Sequence, residues 1–153
     1  MEIKFTQVKI DNLDEHRWIQ WLNAEIFPND VPVSIPFANW WLAWDDKKAI
    51  AFCGWRPYKF GKPYDSYLVG FQYRAGVLSS HRGNGLQKQM IEIRETDMIK
   101  NHIKVAGTYT EVYSAASMRS FINAGYRPYE ATDETALTSL DRYKRFVHWR
   151  KNL

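Results

Sequence analysis

The sequence predicts an α/β (α+β) domain: a mixed, mostly antiparallel sheet of six to seven strands with helices on both faces. Three observations predict it. Short segments of β-type alternation are interleaved with three stretches of helical apolar spacing. An aromatic-rich hairpin comes early, and a strand–helix–strand crossover lies in the middle of the chain. The 153 residues, 45% hydrophobic and 25% charged, suit one soluble domain with one core. No repeat, low-complexity tract or linker interrupts them, so residues 1–153 read as a single domain.

Glu2–Val8 alternates apolar and polar residues and reads as a strand. Asp11–Asp14 offers N-caps for a helix with Trp18, Ile19, Leu22 and Ile26 on one face, stopped by Pro28. Three prolines make Phe27–Pro36 a loop. Asn39–Trp44 and Lys48–Tyr58 form a hairpin around Asp45-Asp46-Lys47. Gly61-Lys62-Pro63 breaks the chain, and Ser66–Leu78 is a long strand. Gly85–Asn101 is a helix with Leu86, Met90 and Ile93 at core spacing, followed by the strand Lys104–Thr110. Ser114–Ala124 is a short helix with Ser114 as N-cap and Gly125 as its stop. Tyr126–Glu130 and Tyr143–Lys151 are the last strands.

Aromatic residues make up 16% of the chain, which implies much buried ring area or rings that line a pocket; burial is the default. No apolar run approaches the ~20 residues of a membrane span. The start Met1–Phe5 lacks the layout of a signal peptide. A lone cysteine, Cys53, excludes an intrachain disulfide and a multi-cysteine metal site, and its apolar surroundings predict a buried thiol. These features predict a reducing, cytoplasmic setting without membrane attachment. His16, His81, His102 and His148 are scattered, so no metal site is expected. The net charge of +4 is mild. The basic cluster Arg142, Lys144, Arg145, Arg150 and Lys151, with Tyr143, Phe146 and Trp149, fits a solvated strand face better than a nucleic-acid track.

Chemistry concentrates in Gly76–Gln87. There a strand ends, Gly83 and Gly85 flank Asn84, and a helix begins. Two glycines let the backbone turn tightly and approach a ligand with no Cβ in the way. Successive N–H groups then converge at the positive end of the helix dipole, a site for phosphate oxygens. Arg82 and Lys88 add positive charge. The pattern G-x-x-x-x-G-K-[ST] is absent, and G-x-G-x-x-G fails because Lys88 stands at the third glycine position. A dinucleotide loop would also follow the first strand rather than the fourth.

Arg82-Gly83-Asn84-Gly85-Leu86-Gln87 resembles the R/Q-x-x-G-x-G/A signature of the GNAT superfamily of N-acetyltransferases, at the place where that family keeps it. Ser114–Tyr126 is similar to the family's N-x-x-[AS]-x-x-x-x-x-K-x-G-[FY] motif, and the ending Trp149–Leu153 to its W-x-K-x-L close. The resemblance implies an N-acyltransferase that uses acetyl-CoA or another acyl-CoA by direct attack in a ternary complex. It implies that the backbone of Arg82, Gly83, Asn84, Gly85, Leu86 and Gln87 holds the CoA pyrophosphate. Val77, Leu78 and Ser79 would pair with the pantetheine arm as an added strand would, and Ser114 and Ser117 would line the cleft's far wall. The acceptor, a small-molecule or peptide amine, would enter by Ile26–Ala38 and the hairpin residues Trp40, Trp41, Trp44 and Trp55, of which strand alternation puts only some on the cleft side as a cation–π wall. Homodimers are common in this fold.

The chain departs from the family at four places. Gln87 replaces a small residue, Ser114 an Asn and Asn123 a Lys, and Phe121 stands where many members carry the Tyr that protonates the leaving thiolate. A phenyl ring has no proton to give. An alternative is therefore a protein that binds acyl-CoA without turnover. Neutralising an amine of pKa ~10.4 at pH 7 costs about 4.6 kcal/mol, so a base or water chain is needed. An N–H at the irregular end of Tyr73–Leu78 would serve the oxyanion. Tyr109 and Glu111, two apart on one strand face, are candidate bases, and relatives that modify protein N-termini carry a Glu near the position of Tyr109. Tyr113 is the candidate acid. His81, where the chain turns, reads as structural.

Overall fold

We describe the protein from a computed structural model, over residues 2–60, 67–129 and 146–153. The break at Gly61-Lys62-Pro63, the starts of two expected strands at Ser66 and Tyr143, and Arg142, Lys144 and Arg145 lie outside the described residues. The chain runs β1 (Ile3–Gln7), α1 (Leu13–Ile26), a 3-10 turn (Ile35–Phe37), β2 (Asn39–Asp45), β3 (Lys48–Phe60), β4 (Tyr67–Val77), a second 3-10 turn (Ser79–His81), α2 (Leu86–Lys100), β5 (Val105–Glu111), α3 (Ala115–Asn123), β6 (Arg127–Pro128) and β7 (Phe146–Asn152). The strands form one seven-stranded sheet in the order β1-β2-β3-β4-β5-β7-β6. Four of the pairings, β1–β2, β2–β3, β5–β7 and β6–β7, are antiparallel, and β4–β5 is parallel. The expected mixed, mostly antiparallel sheet is thus observed, with the expected order of elements.

The contacts divide the chain into two compact units, Met1–Arg56 with Tyr73–Arg94, and Pro57–Gln72 with Glu95–Leu153. In the first unit, Asn12 caps α1 by accepting the Glu15 N–H at 3.1 Å. The helix buries Ile19 and Leu22 completely against Trp40, Leu42, Ala49 and Phe52 of the β2–β3 hairpin. Each such aliphatic burial contributes about 1.5–3 kcal/mol. Phe52 joins this α1 core, whereas the thiol of its neighbour Cys53 lies 4.0 Å from the Met90 carbonyl of α2. Consecutive strand residues point to opposite faces, so α1 and the first half of α2 cover opposite faces of the hairpin. The register passes from Ala43↔Ala51 to Trp44↔Ala49, which leaves Ile50 as the extra residue of a β-bulge.

The aromatic complement is largely core, as expected. Trp40, Trp41 and Trp55 are 2%, 7% and 2% exposed, so they form no open wall for an amine, contrary to the acceptor cleft expected of them. Only Trp44 of the four is half-buried, and its indole N–H donates to Thr6 Oγ1 at 2.8 Å. The buried stripe of α2 also differs from expectation. It comprises Leu86, Met90, Ile91, Arg94, Glu95 and Met98, and Ile93 is only partly covered. Apolar spacing cannot reveal a helix face that buries a guanidinium and a carboxylate. Arg94 is reconciled to burial by donating to the Met90 carbonyl at 3.0 Å.

Cys53 is fully buried, and burial pushes its thiol up from 9.0 to about 11. The neutral thiol is favoured inside, so its contribution to stability is complete below about pH 9 and fades as the pH rises through about 11. At pH 8 the thiolate fraction is then about one in a thousand. An aromatic disulfide reagent at pH 8 should leave the native protein unlabelled and label it stoichiometrically in denaturant. Rapid labelling of native protein would contradict the burial.

In the second unit β5 pairs with β7 along its whole length, and Phe71 packs 5.4 Å from Tyr109. A buried polar chain joins its elements. Gln72 Nε2 donates to the Tyr126 hydroxyl at 3.0 Å, which donates to Glu95 at 3.2 Å, and Lys151 Nζ meets the same carboxylate at 2.9 Å. Arg150 lies 4.0 Å over the Tyr129 ring, and Trp149 is buried. The described part of the basic strand therefore buries Trp149, packs Phe146 edge-on to Tyr109 and engages its two cations, Arg150 and Lys151, within the protein.

Candidate functional site

The end of β4 sets the site. Tyr73 packs on Trp40, 5.6 Å between ring centroids, within the α1 core. A Cβ on Gly76 would lie 3.0 Å from Ile26 and Phe27, also on α1 and its end. Residues three apart cannot share a face under regular alternation, so the strand changes phase between them. This is the irregularity expected of Tyr73–Leu78. Leu78 N–H then donates to the carbonyl of the bulge residue Ile50 at 2.9 Å, which fixes where the strand ends. With Leu78 turned to β3, the N–H of Val77 faces the other way.

A turn follows. His81 N–H donates to Leu78 O at 2.9 Å and Arg82 N–H to Ser79 O at 3.4 Å. Gly83 and Gly85 adopt φ of +80° and +72°, the left-handed region that side chains avoid. The first helical bond of α2 runs from Gln89 N–H to Gly85 O, at 3.2 Å. Among the described residues, no backbone carbonyl accepts from the N–H groups of Gly83 to Lys88. Six consecutive amides therefore stand at the positive end of a 15-residue helix. All but Leu86 and Gln87 lie on exposed residues. Leu86 is only 3% exposed, so its side chain belongs to the core and its amide alone faces the loop.

Side chains brace this loop. His81 is gripped on both ring nitrogens, by Ser80 Oγ at 2.8 Å and by Asp45 Oδ2 at 2.9 Å. Arg82 Nε donates to Val77 O at 3.2 Å, and Asn84 Nδ2 to His81 O at 3.0 Å. Side chains hold the turn while its main chain stays open. Such a run of open amides suits a pyrophosphate, and a Cβ added at Gly83 or Gly85 would meet no protein atom within 4 Å, so both glycines border open space.

The remaining candidates lie in the second unit. Tyr109 and Glu111 both fall within β5, two apart and hence on one face. Tyr109 is half-buried, edge-on to Phe146 at 4.9 Å, and Glu111 is exposed. Tyr113 is 85% exposed. Ser114 occupies the N-cap position of α3, yet its side chain makes no capping hydrogen bond, and Ser117 is half-buried on the helix. Phe121 is buried, edge-on to Tyr126 at 5.0 Å.

One group carries no motif that marks it in the sequence. Arg74 Nη1 donates to Asp30 at 2.7 Å and to Asn23 Oδ1 at 3.2 Å, with its guanidinium 5.0 Å over Phe27. Gln20 exchanges two hydrogen bonds with Val33, and Asn23 donates to Val31 O. These bonds fasten the segment after α1 to the helix and to β4. The one clue was a pair of amide side chains, Gln20 and Asn23, beside the apolar face of the first helix.

No family model matches the sequence, and no curated protein sequence matches it. The solved structures do define its class: the architecture is the GNAT fold. The chain superposes on a chain of the NatC complex bound to Gag peptide and CoA, with a TM-score of 0.74 and 19% identity over 100% of this chain and 99% of that one. Naa50 of Arabidopsis thaliana, in complex with the bisubstrate analogue CoA-Ac-MVNAL, is similar with a TM-score of 0.72 and 14% identity over 100% of both chains. An aminoglycoside N-acetyltransferase, AAC(6')-Iy, in complex with CoA, gives 0.71 and 18% identity over 86% of this chain and 91% of that one. At these identities what is shared is the fold.

Proposed function

We propose that this chain is a CoA-dependent N-acyltransferase that transfers an acetyl group from acetyl-CoA to a primary amine of a small molecule or peptide. The reading rests above all on the unpartnered amides of Gly83–Lys88 behind two left-handed glycines. It is supported by the fold, since similar structures include an aminoglycoside N-acetyltransferase in complex with CoA, the NatC complex bound to Gag peptide and CoA, and Naa50 with a CoA-containing bisubstrate analogue. When bound, acyl-CoA supplies a thioester activated toward amines. The chain's residues do the rest. The amides of Gly83–Gln87 hold the pyrophosphate, that of Arg82 being given to Ser79 O; Val77 and Ser79 offer their N–H groups to the pantetheine arm, since that of Leu78 is given to Ile50 O; and Ser114 and Ser117 complete the cofactor contacts. Tyr109 and Glu111 take the amine proton, directly or through water, and Tyr113 returns one to the thiolate. Direct attack by the amine suits this chain because its single cysteine is buried and held neutral, which makes that thiol a poor acyl carrier.

Phe121 favours one second reading, a fold that holds acyl-CoA without turnover. One experiment separates them. Acetyl-CoA at a hundredfold excess over Kd should add about 2.7 kcal/mol of stability and raise the melting temperature by several degrees. A panel of amines, from short peptides to polyamines and aminoglycosides, should then release free CoA thiol. A melting shift without thiol release supports the silent reading. No shift at all refutes both.

A further inference from the structure

The open amides of the glycine turn work only if the turn holds its shape, and one bond holds it across a long stretch of sequence. His81 and Asp45 lie 36 residues apart, and Nε2 of His81 meets Asp45 Oδ2 at 2.9 Å. Asp45 is the last residue of β2, at the tip of the first hairpin, where the next residue, Asp46, turns with a φ of +53°. The imidazole is 15% exposed, so it is packed rather than waving in solvent. Its other nitrogen is met by Ser80 Oγ at 2.8 Å, which fixes the ring plane from the opposite side. The carbonyl of the same residue accepts from Asn84 Nδ2 at 3.0 Å. His81 therefore joins three parts: the rigid hairpin, the 3-10 turn that ends the strand, and the residue between the two glycines.

We propose that His81, held by Asp45, is a positioning residue for the pyrophosphate cradle. The inference rests on the cofactor reading above and adds to it the reason why the turn is preorganised. Two left-handed glycines make the backbone compliant, and a compliant donor array must spend ordering entropy when a ligand arrives. Tethering the turn to the hairpin tip removes that expense beforehand. The tether reaches the phosphate-facing residue Asn84 through the His81 carbonyl, and it meets the pantetheine-facing stretch only through the main-chain bond from His81 N–H to Leu78 O. Its effect should accordingly fall on the pyrophosphate far more than on pantetheine.

The probes are CoA, which carries the pyrophosphate, and pantetheine, which lacks it. Asp45→Ala should raise the Kd for CoA about tenfold, measured by calorimetry, with the affinity for pantetheine unchanged, measured by NMR titration. Asp45→Asn keeps an acceptor for the imidazole N–H and should stay within about threefold of the parent. Ser80→Ala, a change at an exposed residue that leaves folding intact, should weaken CoA about threefold and carries the test if Asp45→Ala does not fold. The proposal is overturned if Asp45→Ala or Ser80→Ala binds CoA like the parent, or if CoA and pantetheine weaken by the same factor. A parent protein that takes up no CoA refutes the cofactor reading itself, and the tether with it, which sets that failure apart from a parent that binds and variants that do not differ.

Discussion

Gly85→Ala is expected to weaken CoA binding about 100-fold, or about 2.7 kcal/mol, while the protein stays folded. Two effects combine. At φ +72° an alanine is strained by about 1–2 kcal/mol, which the turn relieves by moving its amides out of convergence. If the turn does not move, the new methyl projects into the open space beside the amides, where no protein atom lies within 4 Å of it. The same open space is why the fold tolerates the change. A strain of this size should lower the melting temperature by roughly 2–8 °C in a chain of this length. Calorimetric titration with CoA, beside a thermal melt of the free variant, measures both quantities. An unchanged Kd would place the phosphates elsewhere and remove the main support for the transferase.

Gly54→Ala is expected to have the opposite signature, a large loss of stability with the ligand site intact. Here the limit is space. A Cβ on Gly54 would lie 2.5–2.8 Å from three ring carbons of Trp40. The indole cannot retreat. It is 2% exposed, its N–H donates to the Ile35 carbonyl at 3.1 Å, and it is flanked by Phe52 and Tyr73. Overpacking of this kind costs about 3 kcal/mol, equivalent to a fall in melting temperature of roughly 6–12 °C. Urea denaturation of the variant and parent would measure it, and a loss under about 1 kcal/mol would mean that the hairpin yields more readily than its packing implies. The fraction that remains folded should bind CoA with parental affinity.

Much of this was legible in the residues. Every strand and helix was marked by local patterns: period-two alternation in Ile3–Gln7, the Asn12 cap and proline stop around α1, and the turn at Asp46. Those signals are short-range, since a turn or cap is decided by a residue and its near neighbours. The glycine turn belongs to this class. Two glycines around one residue ahead of a helix permit left-handed backbone and leave amides without helical acceptors, although what holds the turn in shape comes from farther along the chain. The one misplaced helix residue, Ile93, and the tryptophans assigned to an acceptor wall fail for a common reason. Hydrophobic character says that a ring or an aliphatic chain will be covered and leaves open what covers it.

The amino-acid sequence by itself determined the order of elements, the mixed sheet and the open amides of Gly83–Lys88, because each depends on periodicity or on backbone conformation that one residue type permits. Only the tertiary structure decided which side chains work together. Asp45 with His81, Arg74 with Asp30 and Asn23, and Tyr126 with Glu95 and Gln72 are separated by tens of residues, and nothing in the local spacing of either partner names the other. Such pairs follow from strand register and from two irregularities, the bulge at Ile50 and the phase change after Tyr73. Each shifts by one residue which side chains face inward, and that shift depends on what packs on the far side.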